Sequence, residues 1–241
     1  MGGTVLVTGG ARRIGRAISK ALAAAGWRVV VHARAAGDRD AIALADEIGG
    51  RAVFADLAEP LGPARLFNAV CAAEPGICAL VNNAGVFSPA EGLSPAEEAR
   101  LMAVNAAAPE KLMTMLGLRL MTNDENGPGL PRLGAAVNIL DSRILASSPS
   151  TPYARSKAAL LEAQRKVAMN FASVLRVNGV APGPVLAPAG AHEKGGETLL
   201  DARPTPEDVA GAVVYLLSAK SVTGAVIPVD SGQSLLGNVR A

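Results

Sequence analysis

The stretch NILDSRILASSPSTPYARSK carries a tyrosine and a lysine four residues apart, Tyr153 and Lys157. On a helix that spacing puts both side chains on one face. A phenol with a pKa of about 10 trades protons poorly at neutral pH. A nearby ammonium stabilises the phenolate and brings that value down, which makes the pair a candidate for proton transfer. Alone, a Tyr/Lys pair at this spacing arises often by chance. Here it follows a strand-like run and stands beside Asp141 and Ser142, a carboxylate and a hydroxyl in the same stretch.

A second group of residues suits a phosphate. VTGGARRIGRA, residues 7–17, is a glycine-rich turn between an apolar run and a helical stretch. Gly9 and Gly10 let the chain turn and approach a ligand, and Gly15 lets the helix pack on the sheet. Free N–H groups at the helix start, with the helix dipole, would hold the anion. Two arginines, Arg12 and Arg13, stand where small residues would be expected. The next apolar run, VVVHARA, ends without the Asp or Glu that would bond the ribose hydroxyls of NAD. Arg34, helped by Arg12 and His32, would instead welcome the 2′-phosphate of NADPH. Asp56 is placed to accept from the adenine amine, and Lys157 to bond the nicotinamide ribose.

Two further motifs complete the set. In VNNAGVF, Asn82 to Gly85 would lie beside the adenosine ribose and shape the sheet edge. Asn105 sits within a helical stretch, where asparagine is a poor former. Holding a water, kinking the helix and simple exposure are all open readings for it.

The elements that position these groups alternate along the chain. Strand-like runs fall at 4–8, 28–33, 51–56, 77–83, 135–140, 174–180 and 225–230. Helical stretches fall near 13–25, 38–48, 60–73, 94–118, 152–171 and 206–218, and Gly26 is placed to close the first of them. The runs are continuously apolar, as in a parallel sheet covered on both faces. This predicts an α/β fold: a Rossmann-like, doubly wound parallel sheet in a three-layer sandwich, its ligands at the carboxyl ends of the strands. No repeat or linker divides residues 1–241, so a single domain is expected. TNDENGPGLPRLG, residues 122–134, is a surface loop of turn formers, and 188–203 reads as a short lid in which His192 is exposed.

Composition narrows the classes. The net charge of +2, with no basic run longer than two, argues against nucleic acid. No apolar run reaches the roughly 18–20 residues of a membrane span. Met1 leads straight into TVLVTGG without a leader pattern, so a cytoplasmic location is expected. Cys71 and Cys78 have neither a metal nor a disulfide spacing and read as buried free thiols; no metal site is expected.

Together, TGxxxRxG at 8–15, NNAG at 82–85, Asn105, YxxSK at 153–157, RVNGVAPG at 176–183 and VTGAVIPVD at 222–230 resemble the short-chain dehydrogenase/reductase family over nearly the whole chain. The resemblance implies seven parallel strands, commonly a homotetramer, and hydride transfer between NADPH and a carbonyl or imine. It implies cofactor contacts from Gly9, Arg12, Arg13, Ile14, Gly15, His32, Arg34, Asp56, Leu57, Asn83, Ala84, Gly85, Tyr153, Lys157, Pro182 and Gly183. Catalysis would involve Asn105, Asp141, Tyr153 and Lys157.

Three departures, Arg13 in the turn, Asp141 at the family's serine position and Phe87 two residues past Gly85, resemble the pteridine reductase branch. There a pterin lies between the cofactor and an aromatic ring. Arg13, Phe87, Asp141 and Tyr153 would then bind a dihydropterin or dihydrofolate. A carboxyl at Asp141 would relay a proton or hold the pterin's amino groups. The alternatives are reduction of a 3-oxoacyl thioester or small ketone, with Ser142 facing the carbonyl, and an NADPH-binding regulator without catalysis. The intact Tyr153, Lys157 and Asn105 argue against the regulator.

Overall fold

Runs of Val, Ile, Leu and Ala too apolar to face water on either side can only be satisfied inside a sheet that is covered twice. In a computed structural model describing residues 3–87, 92–122, 133–146, 150–185 and 197–239, seven such runs pair in parallel. They are β1 (Thr4–Val7), β2 (Arg28–Ala33), β3 (Arg51–Phe54), β4 (Ile77–Asn82), β5 (Gly134–Ile139), β6 (Leu175–Pro182) and β7 (Val226–Val229). The order across the sheet is β3-β2-β1-β4-β5-β6-β7. Chain direction across the sheet reverses between β1 and β4, and the crevice outside their carboxyl ends is where such folds take ligands.

The helices are α1 (Arg13–Ala24), α2 (Arg39–Glu47), α3 (Gly62–Ala73), α4 (Pro95–Met102), α5 (Ala108–Met121), α6 (Arg143–Ala146), α7 (Pro152–Asn170), α8 (Pro206–Ser218) and α9 (Gln233–Val239). On one sheet face, Leu66 and Val70 of α3, Leu112 and Leu116 of α5 and Leu160 of α7 bury against Leu6, Leu80 and Val177. On the other, Ile18 and Leu22 of α1, Leu44 of α2 and Val213 and Leu216 of α8 bury against Val5, Val31 and Val137. Each such side chain contributes about 1.5–3 kcal/mol by burial, so the two faces fix the sheet between them.

Local chemistry sets the helix ends. Gly26 adopts φ +84°, while its N–H donates to the Ala23 carbonyl and that of Trp27 to the Leu22 carbonyl, closing α1 as the sequence predicts. Ser94 and Glu97 form a reciprocal cap on α4, as Thr205 and Asp208 do on α8. The helix expected over 94–118 is not continuous: α4 and α5 are joined by a π-helical turn at Ala103–Ala107 that contains Asn105. The short helices α6 and α9 are additional to the expected set. Most of the expected loop at 122–134 and the first nine residues of the expected lid, His192 included, lie outside the described residues.

Candidate active site

The cleft begins where β1 turns into α1. Gly9 has φ +60°, a conformation costly for a residue with a Cβ. A Cβ at Gly15 would collide with the Gly9 carbonyl. Asn83 Nδ2 donates to the carbonyls of Thr8 and Gly9 at 3.0 Å each, and Thr8 Oγ1 accepts from the amides of Asn83 and Ala84 at 3.0 Å. The NNAG segment thus ties the glycine turn to the end of β4, so the turn holds its shape without a ligand.

Arg13 opens α1 at φ +52°, a left-handed conformation that costs a non-glycine residue about 1–2 kcal/mol. Its side chain lines the cleft. Arg12 also reaches the cleft wall, but its guanidinium is held by two carboxylates: Nη1 and Nη2 donate to Asp38 at 2.8 and 3.1 Å, and Nε donates to Asp40 at 2.6 Å. Arg34 is exposed at the end of β2 and has no ion-pair partner within 4.0 Å among the described residues. Of the three basic residues expected around a 2′-phosphate, Arg34 is the one both exposed and outside an ion pair among the described residues.

His32 departs from the sequence expectation. It is buried, its Nδ1 accepts from the Gly9 amide at 3.2 Å, and its Nε2 lies 2.9 Å from the Ala55 carbonyl. An accepting Nδ1 puts the proton on Nε2, where it donates to that carbonyl. Burial pushes the imidazole's pKa down, which keeps it neutral. His32 therefore braces the glycine turn and supplies no cation to a phosphate. Asp56 keeps its carboxylate at the cleft: Oδ1 accepts from the Ala58 amide at 2.9 Å, Arg100 stands 3.5 Å from Oδ2, and its pKa is lowered chiefly by the amide bond.

At the other end, α7 begins with Thr151, whose hydroxyl accepts from the Ala154 amide, and Pro152 fills the first position. Tyr153 is therefore held in the first turn. Lys157 lies on the same face, 5% exposed, with Nζ 2.8 Å from the Ile139 carbonyl and 5.9 Å from the Tyr153 ring centroid. Burial pushes the Lys157 ammonium down from 10.5 to about 8. Tyr153 moves opposite to the sequence expectation. Burial, then the negative charge of Asp141, raises its phenol, and Arg143 opposes the rise. Without a ligand the proton is held firmly on the tyrosine.

Asn105 is fully buried and stands behind the cleft wall. Its Oδ1 accepts from the Val86 amide at 2.8 Å, while Nδ2 donates to the Val86 carbonyl at 2.9 Å and to Ser156 Oγ at 3.0 Å. Of the open readings for Asn105, the one with helix distortion is the one observed, and simple exposure is not. In this structure its hydrogen bonds go to Val86 and Ser156, which sets the segment before Phe87 against α7.

Asp141 and Ser142 follow β5. Ser142 is 1% exposed, and its amide donates to the Pro182 carbonyl at 3.0 Å. Asp141 is the residue whose charge reaches both Tyr153 and Lys157. Arg143, which the motifs do not single out, pairs with it through Nε at 2.9 Å and Nη2 at 2.8 Å. The Phe87 ring meets Tyr153 edge to face, with centroids 4.9 Å apart at 78°. Arg143, Arg100 and Gln233 also line the cleft, and their only sequence signal is proximity to other motifs.

Most of the residues expected to bind cofactor or substrate, from Gly9 through Gly183, line one cleft of about 1060 Å³. Gly10 and Asn105 stay outside its lining, as does Asn82, which is buried in the sheet with Nδ2 donating to Asn138 Oδ1 at 2.9 Å and does not reach the cleft. The conformations of Gly9 and Gly15, the bracing by Asn83, and Arg34 at the far end fit a dinucleotide phosphate chain with an added phosphate. Among the described residues no group of three His, Cys, Asp or Glu is arranged to hold a metal ion. None of the described helices is long and apolar enough to cross a membrane.

A glycine-built anion cradle at the switch point of a doubly wound sheet is the mark of the dinucleotide-binding proteins. Within that class the chain belongs to the short-chain dehydrogenase/reductase family of oxidoreductases, because the family model described as enoyl-(acyl carrier protein) reductase matches residues 9–234. Galactitol 2-dehydrogenase of Rhizobium johnstonii is 34% identical, over 96% of this chain and 95% of its own. The structure of FolM alternative dihydrofolate reductase 1 from Brucella suis in complex with NADP superposes with a TM-score of 0.81 and 34% identity, covering 96% of this chain and 95% of that one. The landomycin C-6 ketoreductase LanV with bound NADP and rabelomycin gives 0.80 and 30%, covering 98% and 97%.

Proposed function

We propose that the protein is an NADPH-dependent pteridine reductase that converts a dihydropterin or dihydrofolate to the tetrahydro form. The observation that carries this reading is the Asp141 carboxylate beside Tyr153, with the Phe87 ring against that same tyrosine. A planar heterocycle can lie on Phe87, a stacking worth about 0.5–1.5 kcal/mol beyond burial. Its polar edge then meets a carboxylate, which suits the amino groups of a pterin better than a ketone oxygen. The similarity to the NADP complex of FolM supports the same reading.

NADPH supplies the hydride when bound. Gly9, Gly15 and Arg13 would hold its phosphates, Arg34 the 2′-phosphate, Asp56 the adenine and Lys157 the nicotinamide ribose. Tyr153 carries the proton that follows reduction of a C=N bond, and Lys157, one turn further on, steadies the phenolate left behind. The start of α7 adds its dipole in the same sense. Asp141 orients the substrate edge and accepts from it, and Asn105 keeps the Phe87 segment in register with α7.

The similarity to LanV and the dehydrogenases favours a second reading, reduction of a carbonyl. Ser142 lines the same cleft, so what favours the pterin is the Asp141 carboxylate, whose charge is the one that reaches Tyr153. Loss of the NADPH absorbance with dihydrobiopterin or an acetoacetyl thioester separates the two. Turnover of the pterin is expected; turnover of the thioester alone overturns the reading. We further propose a homotetramer in the cytoplasm. Exposed Leu118 and Met121 on α5 and Met169 on α7 offer apolar surface between copies, which light scattering in solution tests.

A further inference from the structure

Arg143 has an unusual set of neighbours for a residue 58% exposed. Its guanidinium lies 5.8 Å from the Phe87 centroid and 5.4 Å from the Tyr153 centroid, so a flat cation rests against both rings at once. Its Nε and Nη2 donate in parallel to the two oxygens of Asp141, a fork that matches a carboxylate in both geometry and charge. Asp141 itself is 13% exposed, so the arginine closes its solvent side. The backbone amide of Arg143 also donates to Asp141 Oδ1 at 2.9 Å, which anchors the carboxylate independently of the guanidinium.

We infer that Arg143 is an internal stand-in for the substrate: its planar N–C–N edge occupies the carboxylate and rings that a ligand's guanidine-like 2-aminopyrimidine edge takes over on binding. The inference rests on the pteridine reading for the identity of that ligand. The exchange keeps Asp141 paired throughout, since one bidentate donor replaces another and the carboxylate is never enclosed alone. The guanidinium is 58% exposed, so it has a path into solvent as the ligand's two donors take its place on the carboxylate. It also selects: a ligand without two parallel donors would strand the carboxylate, and a ketone gains nothing by displacing the guanidinium. Arg143 is thus a positioning and specificity residue that acts through Asp141.

Calorimetric binding of 2,4-diaminopyrimidine to the NADP⁺-loaded enzyme tests this without turnover. Arg143→Ala should tighten the Kd at least about twofold, because the ligand no longer has to displace the fork. Arg143→Lys, which keeps charge but loses the fork, should fall between it and the wild type. Asp141→Asn should weaken binding at least tenfold in both backgrounds. An unchanged or weaker Kd in Arg143→Ala overturns the inference, as does equal binding by Asp141→Asn or no binding by any variant. Unchanged NADP⁺ affinity and Tm show that Arg143→Ala is folded. If the Kd shifts as stated but no dihydropterin is turned over, the substrate reading fails and the stand-in survives. If dihydropterin is turned over but the Kd does not shift, the stand-in fails and the substrate reading survives.

Discussion

At the scale of single residues, the two ends of the cleft make separate demands. Tyr153→Phe removes the proton donor and leaves the phosphate cradle intact. Turnover should fall at least 100-fold with NADPH affinity within about twofold, by steady-state kinetics and fluorescence titration. A mutant with full activity would reject the assignment. Arg34→Asp puts a carboxylate where the 2′-phosphate is expected, so affinity for NADPH should fall at least tenfold more than for NADH. Equal loss for both would mean the phosphate lies elsewhere. Lys157 makes a pH-dependent claim. Its folded value of about 8 lies below its ordinary 10.5, so the unfolded chain binds the proton more tightly. The resulting penalty is fully present below pH 8 and fades as the pH rises to 10.5. Across that window the ligand-free protein should gain on the order of 3 kcal/mol relative to Lys157→Met, from urea unfolding at each pH. A constant gap between the two would show that the ammonium is not buried.

At the scale of elements, α7 matters because Tyr153 lies in its first turn. Thr151→Ala removes the side-chain acceptor for the Ala154 amide and should lower stability by about 1 kcal/mol, read from the urea midpoint. A larger loss in turnover than in stability would show that the cap also fixes the tyrosine. The elements were largely legible in the sequence. The seven strands fall within two residues of their expected ends: five are buried on both faces and leave continuous apolar runs, and the half-buried edge strands β3 and β7 are short apolar runs too. Gly26 closes α1 because its role is set by neighbours in sequence. What escaped depends on neighbours in space. Arg12 meets Asp38 and Asp40 across 26 and 28 residues, and those ion pairs leave no trace in composition. His32 reads as a cation beside a phosphate until its burial under Gly9 and Ala55 is seen. Asn105 was conspicuous as a poor helix former, but only the fold shows that it sits in a π-helical turn and bonds the Val86 backbone. Arg143 sits on a four-residue helix too short for any periodicity to reveal.

At the scale of the whole molecule, the cleft joins parts from both halves of the sheet, so a ligand that fills it should stabilise the fold globally. With NADPH at about 100 times its Kd the gain is about 2.7 kcal/mol, or about 5–10 °C in Tm for a chain of this size. Differential scanning fluorimetry should show this rise with NADPH and a smaller one with NADH at equal concentration; a larger NADH shift would contradict the cofactor choice. The order β3-β2-β1-β4-β5-β6-β7 has one more consequence. Because the chain lays β1 to β3 on one side before crossing to β4, Arg34 and Asp56, proposed for the 2′-phosphate and the adenine, both precede Gly62. Phe87, Asp141, Tyr153 and Lys157 all follow Ile77. The two specificities are therefore inherited on separate stretches of the gene, with Arg13 shared between them. A crossover in the segment between α3 and β4 would exchange the nucleotide preference of one such enzyme for another's and keep Phe87, Asp141, Tyr153 and Lys157 together, with Arg13 the one substrate residue that changes hands.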